Sequence, residues 1–176
     1  EWVPHDNITV VVEGATCPRI LPSLHATPPE DGGTSAIKKL VAAMNATDQV
    51  SFRSIAEALP RNDFMEVISN QEDIGNGDNL FHHAAKTPRA AGCISILSEL
   101  YANHTADEED KDETMIRRYD VVNARDNGYG STPLHWALYK SNPQATRALI
   151  AAGADVHLKS TRDRTSALRW CNESES

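Results

Sequence analysis

Cysteine is scarce in this chain, and so are aromatic side chains, positive charge and long apolar runs. Three cysteines in 176 residues, Cys17, Cys93 and Cys171, are too few and too scattered for a disulfide framework or a zinc site. Cys93 falls on the apolar face of an expected helix and reads as core. No apolar run approaches the ~20 residues of a membrane-spanning helix. Lysine and arginine number 17 against 25 acidic residues, and the resulting net charge of −8 argues against a general nucleic-acid surface. Catalytic signatures are missing too. There is no H-E-x-x-H, no G-x-S-x-G and no phosphate-cradling glycine loop, and Gly75-Asn76-Gly77-Asp78 is a turn signal. The expectation is a chain that is not an enzyme and holds no metal or cofactor. What remains is ordinary for a globular domain, 24% charged and 40% hydrophobic, at a length that suits one compact domain or a short solenoid.

One segment is far from ordinary. Gly130-Ser131-Thr132-Pro133-Leu134-His135-Trp136-Ala137 opens a unit that closes at Ala148-Leu149-Ile150-Ala151-Ala152-Gly153-Ala154-Asp155-Val156. Thr132 suits a helix cap, and Pro133 the first helical position, where its missing N–H would be unpaired anyway. Leu134 points inward. His135 can bond across the turn with one ring nitrogen and to Thr132 or neighbouring backbone with the other. Ala137 is small enough to let two helices approach closely. Asn142-Pro143 breaks the chain, and Ala145, Ala148, Leu149 and Ile150 then recur at helical spacing. Gly153 ends that helix by accepting positive φ.

This unit resembles the ankyrin repeat, whose opening signature is T-P-L-H-x-A at a period of about 33 residues. The resemblance extends in register. Upstream, Gly77-Asp78-Asn79-Leu80-Phe81-His82-His83-Ala84-Ala85 fits the same template, and Cys93, Ile94, Ile96, Leu97 and Leu100 supply its second helix. Downstream, Val122 to Val156 and Asp126 to Ser160 are each 34 apart, which places Ser166-Ala167-Leu168-Arg169-Trp170-Cys171 as the first helix of a truncated third unit. The resemblance implies an all-α solenoid of helix-turn-helix units with β-turn fingers.

The rest of the chain divides around these units. Residues 1–33 are proline-rich and read as an extended or partly disordered arm, with Ile8 to Val12 as a short β-branched run and Pro28 to Gly33 as a linker. Residues 34–74 read as N-terminal capping helices: Ala36 to Asn45, then a degraded pair at Ser54 to Leu59 and Asp63 to Ser69. Residues 75–176 hold the repeats. His82 and His135 are 53 apart, 19 more than the local period of 34, so an insertion is expected at 103–118. It carries Asp107-Glu108-Glu109-Asp110-Lys111-Asp112-Glu113 and Arg117-Arg118, which reads as a solvated acidic loop; it has no glycine for a calcium-binding turn.

In ankyrin stacks the finger tips and first helices line a concave groove, and the position after the motif histidine faces it. By this resemblance the groove residues are His83, Trp136 and Trp170. The finger tips add Arg125, Asn127 and Tyr129, then Lys159, Arg162 and Arg164, with Lys140 and Arg169 nearby. Tryptophan, tyrosine and arginine are the residues enriched at interface hot spots. The expectation is a non-catalytic interaction module with a basic, aromatic groove for an acidic or phosphorylated surface of another protein, a host kinase or ubiquitin-ligase component being the obvious classes. Sequons at Asn7, Asn45, Asn103 and Asn172, and a chain beginning Glu1-Trp2-Val3-Pro4, suit a secreted effector delivered into a host cytosol. The alternative is a cytoplasmic, regulatory ankyrin fragment of a larger protein.

Overall fold

A computed structural model of the chain describes residues 32–106 and 111–173. The arm expected before Gly32, with its sequon at Asn7, and the acidic residues 107–110 lie outside the described residues, as does the side chain of Asn172.

Helices stack in two rows. One row runs α1 (Gly32–Asn45), α4 (Leu80–Lys86), α7 (Pro133–Tyr139) and α9 (Ala167–Glu173), each packed against the next. The other runs α2 (Gln49–Glu57), α5 (Ala91–His104) and α8 (Pro143–Ala152). Helix α3 (Arg61–Ser69) packs on α1 and α5. Among the described residues no strand forms; one isolated antiparallel bridge joins Lys159 and Ser166. The array is the all-α solenoid that the motif implied.

Local chemistry explains the boundaries. Asn79 begins α4 by accepting the His82 N–H on its side-chain oxygen at 3.1 Å. Asn142 does the same for α8, accepting from the Ala145 N–H at 3.2 Å, with Pro143 at the first helical position. Gly153 closes α8 at φ +102. The degraded helix pair starts earlier than its apolar spacing suggested: Asp48 accepts from the Ser51 N–H at 3.0 Å and starts α2 at Gln49, and α3 starts at Arg61. Gly32 and Gly33, expected in a linker, already belong to α1.

The core is continuous from Ile37 and Leu40 on α1, through Phe64, Phe81, Ile94 and Leu97, to Leu134 and Leu149. Alanines 84, 85, 137 and 145 are fully buried where helices of the two rows meet, so a larger side chain there would push the rows apart. Cys93 is core, and burial pushes its thiol up to about 11.

The expected loop at 103–118 needs correction. Helix α5 runs through His104, and residues 111–118 belong to a further helix, α6 (Lys111–Val122). Charge density suggested a solvated loop, but Glu113 and Arg117 pair at i,i+4, which supports a helix. The Tyr119 hydroxyl donates to Asp155 at 2.9 Å, tying α6 to the turn after α8.

Candidate functional site: a basic, aromatic face on the last two units

Three short fingers precede α4, α7 and α9, and backbone hydrogen bonds join them. The Asn127 N–H donates to the Asn76 carbonyl at 2.7 Å; the Thr161 and Arg162 N–H groups donate to the carbonyls of Gly130 at 3.3 Å and Tyr129 at 3.1 Å. The fingers turn at Gly77 (φ +70) and Gly130 (φ +62). A Cβ on Gly130 would also collide with the Thr161 side chain, so this glycine is required twice over. Thirty-four residues on, the same slot holds Arg164 at φ +55.

The motif histidines lock the fingers to the helices. His82 and His135 are fully buried. In His82, Nε2–H donates to the Ser131 carbonyl at 3.0 Å and Nδ1 accepts the Asn79 N–H at 3.2 Å. His135 repeats the pattern one unit later, donating to the Thr165 carbonyl at 3.2 Å and accepting the Thr132 N–H at 3.2 Å. Each ring therefore ties its own helix start to the next unit's finger. Burial holds both imidazoles below their ordinary pKa, against the raising effect of the carbonyl bond each makes.

On this frame sits a cluster of four aromatic rings. Trp136 and Trp170 meet edge to face, centroids 5.7 Å apart at 90°. Tyr129 closes one side, 6.3 Å from Trp136 and 5.9 Å from Trp170, and Tyr139 the other, at 5.8 Å and 5.9 Å. The tryptophans share a face, as the register required, but they do not form an exposed column. Trp170 is only 6% exposed, Trp136 is half-buried, and the open surface belongs to Tyr129 and Tyr139, at 44% and 45%. Both indoles are anchored through Nε1: Trp136 donates to Asp126 at 2.6 Å, and Trp170 to Thr165 at 2.7 Å and Asp163 at 3.2 Å.

Cations surround the rings. The Lys86 ammonium lies 4.0 Å from the Trp136 centroid, the Arg162 guanidinium 5.1 Å from Tyr129, and the Lys140 ammonium 5.5 Å from Tyr139. Lys140, Arg162, Arg164 and Arg169 are exposed, whereas of the acids nearby Asp78 and Asp126 are buried and Asp163, bonded to Trp170, is exposed. Asp78 accepts from Lys86 at 2.6 Å. Burial raises the Asp126 carboxyl, but the bonds it accepts from Trp136 and from finger backbone N–H groups, Tyr129 and Gly130 among them, outweigh that and hold it below the ordinary carboxylate value. A chain of net charge −8 thus shows a positive face here.

The remaining expected groove residues divide. Arg125 is structural: its Nη1 donates to the Gly130 carbonyl at 2.8 Å and the Lys159 carbonyl at 2.5 Å, bracing adjacent fingers. Asn127 is exposed at a finger tip, its side chain laid against Gly77. His83 is half-buried on α4, with Nε2 3.0 Å from Asn45 Oδ1, away from the four-ring cluster. Arg164 is exposed but occupies the glycine slot. A non-glycine residue there costs about 1–2 kcal/mol, partly offset by the unfolded-chain entropy a glycine would add. Arg164→Gly is therefore expected to raise stability by roughly 0.5–1 kcal/mol, read from urea denaturation; an unchanged or lower midpoint would contradict that accounting.

Sequence reasoning missed Tyr139, Lys86 and the two buried aspartates. Tyr139 lies three residues after Trp136 on α7, a spacing that puts both on one helix face and was available as a signal. The aspartates were not: Asp78, His82 and Asp126 bring their ligand-type atoms within 4.8 Å of one another from two different fingers. Their donor set resembles a metal centre, yet the Lys86 ammonium already meets the Asp78 charge, and His82 and Asp126 spend their polar atoms on the bonds above. The cluster is organised around a lysine.

Such a surface, built from finger tips and the first helices of stacked units, is the kind that solenoid repeats use for binding. The family model described as ankyrin repeats, in three copies, matches residues 31–160, taking in α1 to α3 as well as the two clear units. Ankyrin repeats mediate protein–protein interaction and are typically non-catalytic. The match spans most of the chain, the motif histidines perform the family's inter-unit bonding, and the chain belongs to the ankyrin-repeat family.

Proposed function

We propose that this chain is a non-catalytic interaction module whose site is the face formed by Tyr129, Trp136, Tyr139, Lys140, Arg162 and the edge of Trp170, and that it receives an acidic or phosphorylated segment of another protein. The observation that supports this most is the excess of exposed cations: Lys140 and Arg162 flank the two exposed tyrosines, with Arg164 and Arg169 nearby, while Asp126 holds Trp136 from a buried position. Tyrosine and arginine at the surface of a rigid, pre-packed cluster lose little freedom on binding.

A peptide array graded in net charge tests the reading. Wild type is expected to retain the acidic members. The Tyr129→Ala/Tyr139→Ala variant, folded by circular dichroism, is expected to bind about ten-fold more weakly or worse, since an anchor residue contributes about 2 kcal/mol or more. Equal capture by both proteins, or a preference for basic peptides, would remove the site from this face. A signalling partner such as a host kinase or ubiquitin-ligase component fits this chemistry.

Passage through a secretory route is a second proposal, supported by the exposure of Asn45 and Asn103 within their sequons. Expression behind a secretion signal in a eukaryotic host should give a mass lowered by glycosidase treatment; an unmodified chain would count against it.

A further inference from the structure

A cavity of about 300 Å³ opens between the α4–α5 turn and the α7–α8 turn. Three cations line it, Lys86, Arg89 and Lys140, and no acid does. Lys86 is balanced by Asp78. Arg89 and Lys140 are exposed and form no ion pair with a described residue, so two uncompensated positive charges face one small space. Gln144 adds an exposed amide, while Asn142 is committed to the start of α8 and to the Ala85 carbonyl.

The two turns share a backbone conformation that Thr47, Asn76 and Arg164 also adopt elsewhere. Arg89 has φ +65 and Ser141 φ +48, one in each turn, both in the region that disfavours side chains and both lining the cavity. A glycine would satisfy either turn with less strain. Each turn instead keeps a residue with a polar side chain there, which places the Arg89 side chain at the cavity.

The cavity also adjoins the aromatic face. Lys86 lies over Trp136 and Lys140 over Tyr139. A segment lying along those rings would bring its next side chain to the cavity mouth. We propose that the cavity binds the phosphoryl group of a phosphorylated serine or threonine in the partner segment, with Arg89 and Lys140 as its ligands and Gln144 as a further donor. Guanidinium and ammonium groups together suit a dianion: the planar fork fixes its orientation, and the lysine adds a point charge. A carboxylate carries half that charge and fewer acceptor oxygens, so the site distinguishes phosphoserine from glutamate. This deepens the functional reading above and rests on it for the approach of the segment.

The test pairs degenerate peptides carrying a central phosphoserine with the same peptides carrying serine or glutamate, captured by wild type, by Arg89→Ala/Lys140→Ala and by Tyr129→Ala/Tyr139→Ala. Both substituted cations are exposed; Arg89→Gly/Lys140→Ala, which relaxes the turn, is the guard against a folding defect. Wild type is expected to favour phosphoserine by about ten-fold or more, as expected of charge-assisted hydrogen bonds, and both cation variants to lose that preference. Inorganic phosphate should compete with the phosphoserine peptides. No preference in wild type, or a preference untouched by the cation variants, overturns the proposal. Retention of acidic peptides without a phosphoserine preference overturns it while leaving the aromatic face standing. A preference that survives loss of the tyrosines but not of Arg89 and Lys140 keeps the cavity and removes the face.

Discussion

Trp170→Ala is expected to lower the unfolding free energy by about 3–5 kcal/mol, the range for truncating a buried tryptophan. The sequence alone would place this residue in a decaying motif near the end of the chain, where a substitution costs little. The structure places it at the centre. Its ring contacts Tyr129, His135, Trp136 and Tyr139 at centroid distances between 5.3 and 5.9 Å. Its removal opens a void against His135, takes a donor from Asp163 and Thr165, and detaches α9 from α7. Leu168, two residues away and 64% exposed, is the comparison: Leu168→Ala should stay within about 0.5 kcal/mol of wild type. Urea denaturation followed by circular dichroism measures both. A Trp170→Ala loss under about 1 kcal/mol would mean that α9 frays independently and that the cluster is not part of the cooperative fold.

His82→Ala is expected to cost about 3–5 kcal/mol, by a different route. The ring is fully buried, and its loss leaves both a cavity and an unmet group. The Asn79 N–H loses its acceptor, while the Ser131 carbonyl loses the tie to the preceding unit but keeps the Asp126 N–H at 3.0 Å. The unmet N–H costs about 1–3 kcal/mol, and the cavity adds about 2 kcal/mol. His83→Ala, next in sequence but half-buried, should cost about 1 kcal/mol or less. The ring also carries a pH signature. Burial lowers the folded pKa of His82 below its ordinary 6.5, so the unfolded chain binds the proton more readily. The stability this ring contributes is complete above 6.5 and is lost as pH falls from there through the folded value. The variant should accordingly show a shallower fall in stability below 6.5. A variant as stable as wild type, with an unchanged acid slope, would show that the His82 bonds do not hold the two units together.

How much of this was written in the sequence depends on how local each feature is. The elements of the unit from Gly130 to Val156 were legible, because caps, proline, glycine and apolar spacing all act within a turn of helix; Ile150, read with the apolar positions of α8, is instead 49% exposed. The bond of His135 to Thr132 was assigned from the motif and is made, whereas its other nitrogen reaches Thr165 in the next finger rather than across its own turn. The 34-residue register placed α9 where it is found. Helix α6 was missed because a run of like charges outweighed the i,i+4 pairing of Glu113 with Arg117. Trp170 was expected at a surface because register tells which face a residue takes. It does not tell that Tyr129, from a finger, and Tyr139, from the neighbouring helix, will close over that face. The pairing of Asp126 with Trp136 and of Lys86 with both Asp78 and Trp136 joins two fingers and two helices, and no local pattern carries it.

The central claim is that the Tyr129–Tyr139 face, rather than the inserted helix, meets the partner. The rival surface is real: Met115 and Ile116 on α6 are 70% and 61% exposed. Site-specific photocrosslinking separates them most directly. Benzoylphenylalanine replaces Tyr139 in one protein and Ile116 in another, and both are irradiated in the cell that makes or receives the chain. A discrete crosslinked species is expected from position 139, competed by acidic peptide, and none from position 116. Crosslinking confined to position 116 would place the interface on the inserted helix and remove it from the Tyr129–Tyr139 face.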